Sequence, residues 1–218
     1  MLSKKLSRKI PFVLILTFPV WACVASAMMV MRIDLQNWGN LDKSSDNPEF
    51  VSTAVLIEDG ALDKLRELAG NKDLATIKSY NDYSLLQFAP TRSVADFLVK
   101  NGIDLNSKDC AGMTALHMAC IQGRTSVVQY LLEQGANVNA RSKSGLTPLI
   151  ATTASFRNKK NKADIVEVLL SNGAQIDTQT NNGLNALEVA LESKAYKSAL
   201  HIIRHVSLKW ISPTIVSK

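Results

Sequence analysis

Asp109-Cys-Ala-Gly-Met-Thr-Ala-Leu-His-Met-Ala119 returns as Ser142-Lys-Ser-Gly-Leu-Thr-Pro-Leu-Ile-Ala-Thr152, in a register of 33 residues that also relates Gly112 to Gly145 and Thr114 to Thr147. A period of this length implies stacked copies of one small unit, each too small to shield its own apolar face. Downstream, Leu131-Leu132 recurs as Leu169-Leu170, and Gly135-Ala136-Asn137-Val138-Asn139 recurs as Gly173-Ala174-Gln175-Ile176-Asp177, both at a spacing of 38. The five extra residues fall in the polar, basic stretch 155–162, which holds Arg157, Lys159, Lys160 and Lys162 and reads as a solvated loop. Upstream, Ser84-Leu-Leu-Gln-Phe-Ala89 precedes Thr114 by only 30, and Pro90-Thr91 accounts for the shortening.

Each recurring residue has a local reason. Gly112, Gly145 and Gly183 stand where a tight turn needs positive φ. Thr114 and Thr147 suit a helix N-cap, and Pro148 the first helical position. Gly102, Gly135 and Gly173 suit helix C-caps. Leu116, Ala119, Val127, Val128, Leu131 and Leu132 recur at helical spacing and are expected to be buried between units. The set Thr114-Ala-Leu-His-Met-Ala119, with Gly123 and Leu131-Leu132, resembles the ankyrin repeat, two antiparallel helices and a β-turn finger. The resemblance implies an all-α solenoid spanning 49–206, with a cap at 49–77, units at about 78–106, 107–139, 140–177 and 178–206, and a tail at 207–218. In the cap, Gly60 takes the slot of Gly123. In the last unit, Val206 stands where the others have glycine, and Lys194, Lys197, Arg204 and His205 predict a solvent-facing outer helix.

The N-terminus carries a different signal. Lys4, Lys5, Arg8 and Lys9 precede Ile10 through Met31, which contains no charge and is long enough to cross a bilayer as an apolar helix. Positive charge ahead of the run directs the repeats outside the inner membrane, to a periplasmic location. Ala25-Ser-Ala27 offers a signal-peptide cleavage pattern. Met28-Met-Val-Met31 extends the apolar run as a retained anchor would. Val20-Trp-Ala-Cys23 resembles a lipoprotein box that would place a lipid on Cys23. Residues 32–48 read as a polar linker. Four of the charges behind the net +6 sit at positions 4 to 9, with no acid before Asp34, so the remainder carries +2 and the basic balance does not point to nucleic acid.

Reactive chemistry is hard to find. Cys110, His117 and Cys120 mimic a zinc set, but the register gives His117 a repeat position shared with Gln87, Ile150 and Glu188, and no cofactor is expected. Cys110 in a turn and Cys120 on an inner helix are expected to be two separate thiols. His201 and His205 stand four apart without the glutamate of a zinc-protease helix. No nucleophile elbow, phosphate loop or dinucleotide fingerprint occurs, so no catalytic residues are assigned and an enzyme is not expected. Function is expected on the finger tips and inner helices, where Lys108, Met113, Met118, Ile121, Gln122, Arg141, Lys143, Leu146, Thr180 and Asn181 would contact a protein partner with an acidic surface and an apolar spot. Similarity to bacterial envelope ankyrin proteins implies two kinds of partner. One is a toxin neutralised by an immunity protein, such as a type VI secreted phospholipase; the other is an envelope enzyme such as a catalase, supported by a scaffold.

Overall fold

A computed structural model describes residues 47–155 and 161–215, with side chains of the last helix described as far as Ser207. The apolar run 10–31, Cys23, residues 32–46 and the basic residues 157–160 lie outside the described residues. Among the described residues nine α-helices follow one another: α1 (Pro48–Glu58), α2 (Leu62–Asn71), α3 (Arg92–Lys100), α4 (Ala115–Gln122), α5 (Thr125–Glu133), α6 (Pro148–Ala154), α7 (Lys162–Ser171), α8 (Ala186–Glu192) and α9 (Tyr196–Ile215). Two 3₁₀ turns, Leu74–Thr76 and Leu85–Phe88, lie between α2 and α3. Among the described residues the β-structure is one isolated bridge between Lys78 and Ser84, and no helix is long and apolar enough to cross a membrane.

The helices form two parallel rows. Inner helices α4, α6 and α8 pack in succession, and outer helices α3, α5, α7 and α9 pack behind them. One continuous apolar core runs from Phe50 and Ile57 through Leu116 and Leu131 to Leu169 and Ile202. Each fully buried leucine in that seam is worth about 2 kcal/mol against exposure, so neighbouring units hold one another in place.

Short helices need their ends satisfied, and side chains do it here. The Thr147 hydroxyl accepts the Ile150 N–H at 3.3 Å and Pro148 opens α6. Asn185 accepts from Leu187 and Glu188 while Glu188 accepts the Asn185 N–H at 2.8 Å, a reciprocal box at the start of α8. The outer helices end alike. Ile103, Ala136 and Ala174 donate back to Leu98, Leu131 and Leu169, which satisfies carbonyls the helix leaves open. At the other end of the stack, the Asn47 side chain accepts the Glu49 N–H and donates to the Lys78 carbonyl at 3.2 Å, so Asn47 and Pro48 begin the cap.

One unit departs from the pattern. Its inner helix is reduced to the single turn Leu85–Phe88, because Pro90 supplies no N–H to continue the ladder. The freed carbonyls of Phe88 and Ala89 are taken up by Arg124 of the next unit, whose Nη1 donates at 2.9 and 2.8 Å. Burial lowers the Arg124 pKa and also raises that of Glu58; the two charges, on units separated by this shortened one, partly offset the cost for each other.

Insertion 155–162 is anchored at both edges. The Ser155 hydroxyl donates to Ile121 O at 2.7 Å and Asn161 Nδ2 to Gly123 O at 3.1 Å, so it leaves and re-enters beside the turn between α4 and α5. Lys162 is buried at the first position of α7 rather than part of a solvated loop. At the far end, α9 does not turn at Val206 but runs to Ile215, through most of the segment set apart as a tail.

Candidate binding surface

Four fingers are built on one plan. Ser79, Asp109, Ser142 and Thr180 open them, and the backbone of each bonds to the residue four further on, at 3.4 Å for the first and 2.9–3.0 Å for the others. The side chain of the same residue accepts a backbone N–H across the turn: Tyr83 for Ser79, Met113 for Asp109, Leu146 for Ser142 and Leu184 for Thr180. An oxygen-bearing side chain is therefore required at that position, as in Asx and Ser/Thr turns. In the first finger Asp82 replaces glycine and adopts φ 58°.

The fingers are also bonded to one another. The amides of Cys110, Lys143 and Asn181 donate to the carbonyls of Asn81, Ala111 and Ser144 at 2.9, 2.9 and 3.1 Å. Side chains repeat the connection, with Lys108 Nζ on Arg141 O, the Arg141 guanidinium on Gln179 O and Asn181 Nδ2 on Lys143 O. The tips thus form a row whose spacing is fixed by backbone.

His117 sits beneath that row, fully buried. Its Nδ1 accepts the Thr114 N–H at 3.2 Å, and Nε2 lies 3.1 Å from the carbonyl of Leu146 in the next unit. A carbonyl only accepts, so Nε2 carries the proton and the ring is the neutral tautomer that joins two units. Burial holds the imidazole down at about 4, against a smaller opposing effect of the Leu146 bond. Gln87 performs the same task one unit earlier: Oε1 accepts from Ser84 N and Nε2 donates to Met113 O. Ile150 in the equivalent slot has no polar group for the bond, and Glu188 spends its carboxylate on its own N-cap. Both His117 nitrogens are committed to the fold, which leaves none for a metal. Among the described residues no group of three or more His, Cys, Asp and Glu stands close enough to hold one. Cys110 is exposed and Cys120 buried, both free, and burial pushes the Cys120 thiol up to about 12.

The residues expected to contact a partner divide into two sets. Lys108, Arg141, Lys143 and Asn181 are exposed along the finger row, with Leu146 half-buried beside them. Met113 and Ile121 are buried instead, in a small cluster with Ala151 that Ala111 and Met118 flank. Thr180 is buried as the opening residue of its turn, and Gln122 is half-buried. Burial makes Met113, Ile121 and Thr180 supports of the surface rather than contacts on it. The physical reason is that an apolar tip residue is covered by the adjoining unit before any partner arrives. The accessible part is accordingly more polar and more basic than the sequence suggests.

A cleft absent from the sequence reading lies at the other side of the last finger. It encloses about 1220 Å³ between the loop Gly173–Thr180, Arg141, and His205 and Val206 of α9. In earlier units this loop position is closed by side-chain bonds to the next loop: Asn106 accepts from Asn137 N and Asn139 from Gln175 N, both at 2.9 Å. The signal was present in Val206, which replaces the glycine that would have turned the chain back over the loop.

Comparison with protein families agrees with this geometry. The model for ankyrin repeats, three copies, matches residues 53–142 and 85–180, more than half of the chain. The chain belongs to the ankyrin-repeat family. The matched span includes most of the cap, the shortened unit and the inserted unit, so these ankyrin repeats tolerate both a lost helical turn and a five-residue insertion. No curated protein matches the chain. Ankyrin repeats are generally non-catalytic protein-interaction modules.

Proposed function

We propose that this ankyrin stack is a non-enzymatic binding protein of the bacterial envelope that clamps an antibacterial effector, such as a type VI secreted phospholipase, and neutralises it. The observation that carries the reading is the finger row, where Lys108, Arg141 and Lys143 stand exposed on a backbone-bonded scaffold with their acidic neighbour Asp109 buried. A rigid basic edge needs little ordering when a partner binds, and long-range attraction raises the encounter rate with an acidic surface. The envelope location is supported by the sequence of residues 4–31, basic and then uncharged. Occlusion requires only a tight, large contact, of the order of 800 Å² per partner, and no reactive group.

The test is rescue of growth. Cells producing a neighbouring-gene toxin in the periplasm are expected to survive when the full chain is co-produced, and to lose protection with Lys143→Glu. The Lys143 side chain makes no bond that supports the stack, so the variant should melt with the parent. Failure of the wild type to bind or protect against any envelope-directed toxin in pull-down and growth assays would refute the reading. Recovery of a catalase-like envelope enzyme from the same pull-down would move the chain to the scaffold role.

A further inference from the structure

We infer that α9 is a membrane-contacting helix that docks on an anionic phospholipid surface, an attachment separate from the finger row and from the apolar run at the N-terminus. The outer helix of this unit was expected to face solvent, and the face it turns outward carries an apolar stripe. Four of the six large apolar side chains exposed among the described residues gather at this end of the stack: Leu191 of α8 at 51%, and Tyr196 at 59%, Leu200 at 64% and Ile203 at 46% on α9. Tyr196, Leu200 and Ile203 follow one another at i, i+4 and i+7, a single stripe along the helix. The opposite face is the one that packs, with Ser198, Ala199 and Ile202 buried against the stack. The stripe is therefore surplus to folding.

Charge says what would cover it. From Ser193 to Lys218 the sequence carries Lys194, Lys197, Arg204, Lys209 and Lys218 and no aspartate or glutamate. Lys197 and Arg204 lie about 40–60° around the helix from Leu200, bordering the stripe on one side. The acids nearest in sequence are Glu188 and Glu192 on α8, and Glu188 is occupied with the Asn185 amide. Among groups on the packed elements, Glu167 of α7 faces His201 at 3.9 Å, away from the stripe. α9 spans 20 residues, where α5 and α7 span 9 and 10, and its sequence continues through Leu208, Lys209, Trp210 and Ile211. An apolar stripe with basic borders and interfacial aromatics is the chemistry of a helix lying in the headgroup region, where apolar burial and attraction to anionic lipid add. α9 is not apolar enough to span a bilayer. A two-fold copy of the chain is a poorer occupant, because it would bring Lys197 and Arg204 of both copies together along a narrow stripe on a helix that carries no acid of its own.

The experiment needs a readout local to α9, since the N-terminal run could hold the whole chain on vesicles. Full-length chain with Ile203→Cys, Cys23→Ser and Cys110→Ser presents one accessible thiol, Cys120 being buried. It is mixed with vesicles of phosphatidylcholine alone, or with about a third phosphatidylglycerol, and alkylated with a water-soluble maleimide. Labelling at position 203 is expected to slow roughly tenfold on the anionic vesicles only, and to recover when Lys197→Glu and Arg204→Glu are added. A parallel chain with Val55→Cys, exposed on α1, should label equally on both lipids. Equal rates at position 203 on the two lipids would overturn the inference. So would equal protection at both positions, or protection that follows protein concentration instead of lipid charge, which would assign the stripe to a second copy. Circular dichroism of each variant confirms that the helices persist. Effector binding through the fingers is read separately, so either conclusion can fail alone.

Discussion

Gly145 and Gly183 occupy equivalent turn positions with nearly equal backbones, φ 79° and 80°, yet alanine is expected to cost very different amounts at the two. At Gly183 an added Cβ meets no atom within 4 Å, so the penalty is the left-handed conformation alone, about 1 kcal/mol. At Gly145 the same Cβ would lie 2.7 Å from Asn181 Oδ1, 2.9 Å from Asn181 N and 3.0 Å from the Arg141 guanidinium. The two side-chain atoms can swing away. The Asn181 amide cannot, because it donates to Ser144 O and sets the distance between two fingers. Forcing those fingers apart adds an overpacking cost of about 1–3 kcal/mol, for a total near 2–4 kcal/mol. For a domain of this size that difference corresponds to a melting point lower by roughly 6–12 °C in Gly145→Ala and about 3 °C in Gly183→Ala. Thermal unfolding followed by circular dichroism at matched concentration measures both. If the two variants melt together, the bonding between fingers is too soft to make the row rigid, and a pre-organised binding edge loses its basis.

Acid should loosen the stack through His117. Its folded pKa, about 4, lies below the ordinary histidine value, so between the two the unfolded chain binds the extra proton; stability is complete above about 6.5 and falls by roughly 3 kcal/mol on going to pH 4. His117→Gln should remove that slope while keeping most of the stability at pH 7, because Gln87 already makes the same pair of bonds; urea titrations at several pH values decide it. Arg124→Ala leaves the buried carbonyls of Phe88 and Ala89 without their charged donor and should cost about 2–4 kcal/mol, with Arg124→Lys unable to restore both bonds; a denaturant midpoint that does not move would show that water replaces the guanidinium. In the native protein a water-soluble maleimide should modify Cys110 and spare Cys120 until denaturant is added, and rapid native labelling of Cys120 would mean that the seam between α4 and α6 opens.

Most of the fold was legible because the repeat writes it locally. Gly112 and Gly145 specify turns, Thr147-Pro148 a helix start, and Leu131 a buried outer-helix position with Leu132 half-buried beside it, each within a few residues of chain. The family match, over 53–180, spans these same positions. The shortened unit was legible from Pro90, although the collapse of its inner helix to one 3₁₀ turn and its repair by Arg124 were not. Arg124 lies 34 residues from Pro90, and no local pattern connects them.

The candidate binding surface was legible only in part, for a related reason. Lys108, Arg141 and Lys143 are long and charged, and solvation keeps their heads outside in nearly any packing. Met113 and Ile121 have no such preference; whether they face a partner or the adjoining unit depends on how closely Ala151 approaches, which is a property of the stack. The apolar stripe of α9 is the converse case: Ile203 takes the slot of Leu132 and Leu170, half-buried and buried in their own units, while Leu200 takes the slot of Gln129 and Glu167, which is exposed there as well. Sequence by itself determined the unit, its turns, its caps and the sign of its edge, because those follow from backbone preference and solvation one residue at a time. Tertiary structure alone decided which side chains remain available, because burial is set by the neighbouring unit, roughly 30 to 40 residues away along the chain.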